Sequence, residues 1–410
     1  MNALTLQPPR LRTLAAFVIL ASMLAAIGFS ATAEAGKKPT KGPSGDKFYF
    51  PSNKKISKKH GTLIWQRKAQ KGVRLSSARV NKVIAYSSKS TTGKKVAVTG
   101  SLAIPKGKTP KGGWPVVTYA HGTTGIADIC APSRNAPNGP ANDSIVYVDS
   151  GLNTLVEEGY AVLRTDYEGL GTRGIHPYLI GKSEGRSVLD IVRAARDYKK
   201  GLVSKKFVIV GHSQGGHAAL FAAGLAKNWV SDLKPRGTIA YAPASHTAEQ
   251  VPLLPSLTSP SSLTALASLI VRGATTADSA IDPNALLSDG VLAFYPDTKT
   301  ECLGALAEPD SLGGIAPSTL IRSGADQKPL LDTLAANNPN VVTPQPIFMA
   351  QGTADTTVFP FLTNQLNDEL VASGDDVDYK LYPGATHGSV VEEAEADSLT
   401  FLNARLPSSR

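Results

Sequence analysis

Phe207-Val208-Ile209-Val210-Gly211-His212-Ser213-Gln214-Gly215-Gly216 is the stretch that decides how this 410-residue chain is read. Four apolar, β-type residues run into Gly-x-Ser-x-Gly, and a small-residue, helix-forming segment follows over 217–227. A strand, a tight turn and a helix in that order form a nucleophile elbow. Gly211 and Gly215 lack the Cβ atoms that would clash in so sharp a turn. Ser213 is thereby expected at the tip, its hydroxyl exposed. The five-residue pattern alone is weak; the strand before it and the helix after it make it specific.

Working outward, the chain alternates strands and helices. Segments 79–87 and 96–104 read as strands joined by a hairpin turn, and 116–120 as a short buried strand. A Pro/Asn/Gly-rich loop reaches about residue 142, then come a helix at 150–158, a strand at 160–164 and an amphipathic helix at 187–198. In that helix Val188, Leu189, Ile191, Val192 and Ala195 share one side, with Asp190, Arg193 and Arg196 largely opposite. Strand 238–241 follows the elbow. About a hundred residues then pass before the next buried strand, 347–350, and helical spacing within the gap at 262–271, 283–294 and 327–336 marks an inserted, mostly helical cap or lid. A helix at 360–372, a strand at 377–382 and a helix at 391–406 finish the chain. The pattern predicts an α/β-hydrolase fold: a mainly parallel central sheet, helices on both faces, and the inserted cap. The expected divisions are a secretory signal peptide at 1–35, a basic N-terminal arm at 36–75, hydrolase core at 76–244, cap at 245–344, and core again at 345–410.

The leader is read from Arg10 and Arg12, the apolar run over 14–29, and Ala33-Glu34-Ala35 as a cleavage site. The run is shorter than the ~20 residues a membrane span needs. This implies secretion, into the medium or into the periplasm of a host with an outer membrane. Residues 36–46 read as disordered. Cys130 and Cys302 are the two cysteines, and an oxidising compartment favours a disulfide between them over two buried thiols. The net charge of +10 is uneven: residues 36–111 hold 20 Lys and Arg and one acid, Asp46. A solvated basic arm explains this better than a polyanion contact. No nucleic-acid-binding module is present, and aromatic residues are too sparse for a stacking platform.

Ser213 needs a base to become a nucleophile. Of seven histidines, His387 is singled out, because Pro383-Gly384-Ala385-Thr386-His387-Gly388 directly follows the last strand. Catalytic groups collect at the carboxyl ends of strands in open α/β sheets. His212 lies beside the nucleophile and points badly; His217 is expected to be satisfied locally. Asp355, in Gln351-Gly352-Thr353-Ala354-Asp355 after strand 347–350, is the orienting acid, and completes the order Ser…Asp…His. Asp326, Asp332, Asp375 and Asp376 are worse placed. For the oxyanion, the expected donors are the N–H of Gln214 and one from His121-Gly122-Thr123-Thr124-Gly125, with Thr123 the first choice and Thr124 the alternative. No metal site and no cofactor are expected, since neither ligand spacing nor a phosphate-binding loop occurs.

His121-Gly122-Thr123-Thr124-Gly125, Cys130-Ala131-Pro132-Ser133, Asp166-Tyr167-Glu168-Gly169, Gly211-His212-Ser213-Gln214-Gly215-Gly216 and the long cap together resemble the secretory lipase family, the lipase-A type of α/β-hydrolase. The resemblance runs over roughly residues 75 to 410 in motif order. It implies an extracellular hydrolase of carboxylic esters, often acylglycerols, with a cap over an acyl-binding tunnel. The expected partners are an ester or lipid substrate and, through the cap, a transient contact with a lipid interface. It also supports Ser213, Asp355 and His387 as the triad. Glu168 either lines the site or fixes its loop. A serine peptidase of the same fold, and a non-catalytic surface-binding protein, are the competing readings.

Overall fold

The computed structural model describes residues 39–408. The expected leader, and residues 36–38 of the basic arm, lie outside the described residues. Nine strands form one sheet: β1 (Leu63–Lys68), β2 (Val80–Lys89), β3 (Lys95–Ile104), β4 (Trp114–Ala120), β5 (Ala161–Thr165), β6 (Val203–His212), β7 (Lys234–Tyr241), β8 (Ile347–Gly352) and β9 (Val377–Tyr382). Their spatial order is β1-β2-β3-β5-β4-β6-β7-β8-β9. The first three strands and the β3–β5 pair are antiparallel, and everything from β5 to β9 is parallel. The order reverses around β4, whose neighbours are β5 and β6. Crevices form at such switch points, outside the carboxyl ends of the strands.

Side-chain alternation along β4 assigns the two faces. Val116 and Ala120 join a core with Val188, Ile191 and Ala195 of the helix Gly181–Tyr198 and with Ala219 and Ala222 of the helix Gln214–Trp229. Val117 and Tyr119 face a second core with Leu152 and Val156 of Asp149–Glu157 and with Phe401 and Leu402 of Glu395–Arg405. Residues between β7 and β8 are mostly helical and hold a core of their own, including Ala265, Leu269, Leu286, Leu306 and Leu334.

Several expectations need correction. The region read as an arm supplies β1, which pairs with β2 from Leu63↔Tyr86 to Lys68↔Lys82. Residues 40–42, read as disordered, bond to it: Gly42 N–H donates to the Gln66 carbonyl and Gln66 N–H to Thr40, both at 2.9 Å. Phe48 and Tyr49 are buried beside Ala69, Val73, Val83 and Ala85, with the Arg67 guanidinium over both rings. Those aromatics offset the polar composition that suggested disorder. The helix expected at 187–198 starts at Gly181, and Asp190 is buried rather than solvated. It accepts hydrogen bonds from Ser88 Oγ (2.7 Å) and Trp229 Nε1 (2.9 Å) and pairs with His60. The single helix expected at 283–294 is two, Pro283–Leu286 and Asp289–Phe294, because Leu287 turns aside to pair with Ile321 and Ser288 caps the second. The terminal helix is likewise interrupted at Ala394.

Candidate active site

The turn after β6 has the backbone that its glycines permit. Ser213 has φ 60° and ψ −121°, a region that an L-residue enters only under strain. A Cβ on Gly211 would lie 2.0 Å from the Gly215 carbonyl oxygen, and one on Gly215 would lie 1.9 Å from that of Ala120. The turn is held from β7, where the Tyr241 carbonyl accepts the Ser213 N–H at 2.9 Å.

Three residues from three strand ends meet here. His387 Nε2 lies 2.9 Å from Ser213 Oγ, and His387 Nδ1 lies 2.7 Å from Asp355 Oδ2. Asp355 is buried. Its Oδ1 accepts the N–H groups of Thr357 (2.8 Å) and Val358 (2.9 Å), and its Oδ2 the side-chain amide of Gln351 (3.0 Å). Burial alone would raise its pKa; the bond and charge of His387 and the two backbone N–H groups outweigh it and hold the carboxyl below its usual range. An ionised Asp355 keeps the proton on His387 Nδ1, which leaves Nε2 free to accept from Ser213.

Gln214 opens the helix Gln214–Trp229, so its N–H is among the first-turn donors that no helical carbonyl reaches. Thr123 lines the cavity beside Ser213, and its hydroxyl meets that of Tyr178 at 2.6 Å. Thr124 is fully buried, and its carbonyl accepts the Leu303 N–H at 3.0 Å. Cys130 and Cys302 form a disulfide, and Cys302 also bridges to Gly125. The bond therefore fastens the loop after β4 to the helical insertion.

The remaining histidines have other partners. His217 lies between Glu184 Oε2 and the Asn337 carbonyl, His246 meets Glu369, and His60 meets Asp190. His212 sits against the ring of His387; its Nε2 donates to the His387 carbonyl (2.8 Å) and its Nδ1 accepts from Tyr147 Oη (2.5 Å). Burial pushes His212 down to about 3, so the ring is neutral when it supports the His387 loop. Glu168 turns away from Ser213 chemistry and accepts from Ser183 Oγ at 2.5 Å, while Tyr167 Oη donates to the His121 carbonyl at 2.9 Å. The segment fixes the loop. Tyr147 and Gln351 carried no local signal in the sequence; only their partners reveal them.

Ser213 and His387 open into a cavity of about 540 Å³. Its far walls are apolar, with Leu254, Leu257, Leu263, Leu266, Ile270 and Leu334 from the insertion. Among the described residues, no cluster of three His, Cys, Asp or Glu could hold a metal ion.

Residues 144–254 match the secretory lipase family. The secretory-lipase segment contains Tyr147, Glu184, Ser213 and Gln214, and stops before Asp355 and His387. Lipase A of Moesziomyces aphidis is 27% identical over 198 residues, which are 47% of this chain and 41% of that protein. Secreted triacylglycerol lipase LIP2 of Malassezia furfur is 28% identical over 236 residues, 56% of this chain and 49% of that one. Secreted triacylglycerol lipase LIP7 of Malassezia globosa is 35% identical over 113 residues, 26% of this chain and 23% of that one. The chain thus spans no more than half the length of these relatives. Among solved structures, Candida antarctica lipase A in its closed state superposes with a TM-score of 0.73 at 19% identity, covering 87% of this chain and 84% of that one. The rice cell wall degrading esterase LipA of Xanthomonas oryzae gives 0.66 at 18% identity, covering 85% and 98%. The fold is that of the α/β-hydrolases.

Proposed function

We propose that the chain is a secreted serine hydrolase of carboxylic esters, a lipase or esterase acting on acylglycerols or other acyl esters. The observation that carries this is the line Ser213 Oγ, His387 Nε2, His387 Nδ1, Asp355 Oδ2, at 2.9 and 2.7 Å, at the mouth of an apolar cavity. Ser213 Oγ attacks the ester carbonyl as His387 Nε2 takes its proton. Asp355 stabilises the imidazolium and keeps it oriented. The oxyanion is met by the N–H groups of Gln214 and Thr123. Thr123 is preferred over Thr124 because it lines the cavity. His387 then protonates the leaving alcohol. Water, activated by the same ring, hydrolyses the acyl-enzyme and restores Ser213.

Residues 245–344 act as a cap whose leucines and isoleucine hold the acyl chain. Leu253, 42% exposed, and Phe361, 54% exposed, support a transient contact of the cap side with a lipid interface. Phe361 stacks on Phe359, a cavity residue, at 5.8 Å. Secretion is supported by the leader at 1–35, the Cys130–Cys302 bond and the names of the relatives.

Ser213→Ala tests the reading. Turnover of a p-nitrophenyl ester should fall by several orders of magnitude, and labelling by a fluorophosphonate probe should vanish, with the thermal midpoint unchanged or raised. A Ser213→Ala protein that still turns over the ester refutes the assignment.

A further inference from the structure

Beneath the elbow lies a buried polar group that the proposed chemistry leaves unused. The Gln214 side-chain nitrogen lies 2.7 Å from Glu184 Oε1 and 2.8 Å from His176 Nε2. Its two protons go one to each. His176 Nδ1 is 2.9 Å from the Glu168 carbonyl, so the ring proton is on Nδ1 and Nε2 is the acceptor Gln214 needs. Glu184 Oε1 also accepts the Leu179 N–H at 3.0 Å, and Oε2 faces His217 Nδ1 at 2.9 Å. His217 Nε2 in turn faces the Asn337 carbonyl at 3.0 Å. Both His217 nitrogens therefore face acceptors. Glu184, His176, Gln214 and His217 are all buried. A buried carboxylate is tolerable only when paired and hydrogen-bonded, and each Glu184 oxygen is occupied.

The same segment reaches the other donor. Leu179, which Glu184 holds, has φ 56°, a conformation that needs restraint. Its neighbour Tyr178 meets Thr123 Oγ1 through its hydroxyl at 2.6 Å. Gln214 and Thr123 approach Ser213 from different strands, β6 and β4, yet both are fastened to residues 176–184.

We propose that Glu184 is a positioning residue for the oxyanion site: it fixes Gln214 directly and Thr123 through Leu179 and Tyr178. This rests on the serine-esterase reading above. Donors must lie within a few tenths of an ångström of where charge develops, and looseness there is felt in the transition state more than in substrate binding.

The test uses Glu184→Gln and Tyr178→Phe, with kcat and KM for a p-nitrophenyl ester. Two inhibitors of matching chain length accompany them: an alkyl trifluoromethyl ketone, which forms a tetrahedral adduct on Ser213, and the corresponding carbinol, which cannot. kcat and ketone affinity should fall together, by about 10- to 100-fold for Glu184→Gln, while KM and carbinol affinity stay within about twofold. A folded Glu184→Gln that keeps kcat and ketone affinity within about twofold overturns the proposal, as does an equal loss of carbinol affinity, which marks general damage to the cavity. If Glu184→Gln does not fold, Gln214→Met decides on the same readouts, because it keeps the backbone N–H and removes only the side-chain anchor. An active wild type with unaffected variants sinks this inference alone. A wild type that neither hydrolyses esters nor takes up fluorophosphonate sinks the esterase reading with it.

Discussion

At the scale of single residues, steric and electrostatic constraints converge on one turn. Ser213 carries a positive φ because Gly211 and Gly215 let three backbone segments approach within contact. Around it, burial keeps imidazoles neutral. It pushes His121 down to about 4 and His212 to about 3. In the unfolded chain both would titrate near 6.5. As pH falls from about 6.5 towards 4, the unfolded state takes up protons at these two sites that the folded state does not. Stability from this source is therefore complete above about pH 6.5 and declines below it, by up to about 1.4 kcal/mol per pH unit for each ring. Asp355 acts in the same direction over a lower window: its depressed carboxyl keeps its contribution above about pH 4 and loses it only below. Denaturant midpoints should thus fall between pH 6.5 and 5. Equal midpoints at the two values would contradict the assignment of His121 and His212 as buried and neutral.

At the scale of elements, the helix Gly181–Tyr198 teaches most. Its periodicity correctly sorted Val188, Ile191 and Val192 inward but put Asp190 on the wrong side. Periodicity registers the direction of a side chain; it is blind to a Trp229 indole and a Ser88 hydroxyl arriving from other elements to satisfy a carboxylate. β1 was missed for a related reason. Leu63-Ile64-Trp65-Gln66-Arg67-Lys68 lies in a lysine-rich context, and its partner β2 and the Phe48–Tyr49 patch supply what composition lacks. The disulfide joins elements 172 residues apart and sits where the Leu303 N–H meets the Thr124 carbonyl. Cys130→Ser with Cys302→Ser should cost about 2–5 kcal/mol of stability. It should also lower kcat, since the loop carrying Thr123 loses its tie to the insertion. Thermal unfolding with and without reductant, paired with ester kinetics, checks both. A reduced protein with full kcat would show that the loop is held by other means.

At the scale of the whole molecule, the sheet order sets basic and acidic ends apart. Residues 39–111 form the β1–β3 end, which contains Asp46 as its single acid, whereas Asp368, Asp375, Asp376 and Asp378 cluster around β9. Between them the cavity lies over the switch point, lined by the insertion's leucines. On the esterase reading proposed above, its size limits the acyl chain. Ala267, on the helix Leu263–Ala274, lines it. Ala267→Trp should shift preference to shorter esters: kcat/KM for a long-chain p-nitrophenyl ester should drop at least about tenfold, with the acetate or butyrate changed by no more than about threefold. A uniform loss across the series would place the acyl chain elsewhere.

The sequence by itself determined what depends on near neighbours along the chain: the glycine-bounded turn at Ser213, the strands that feed it, and the loops after β8 and β9 that present Asp355 and His387. Turn sterics and strand periodicity act over a few residues, so they can be read without coordinates. Only the tertiary structure decided what depends on approach from afar. Glu184 reaches Gln214 from 30 residues away, and Tyr178 reaches Thr123 from 55. The neutrality of His212, the pairing of Asp190 and the shape of the cavity are likewise set by burial. Burial is a property of the packed whole: it fixes the local dielectric and decides which polar groups must find one another, and no stretch of chain carries that information alone.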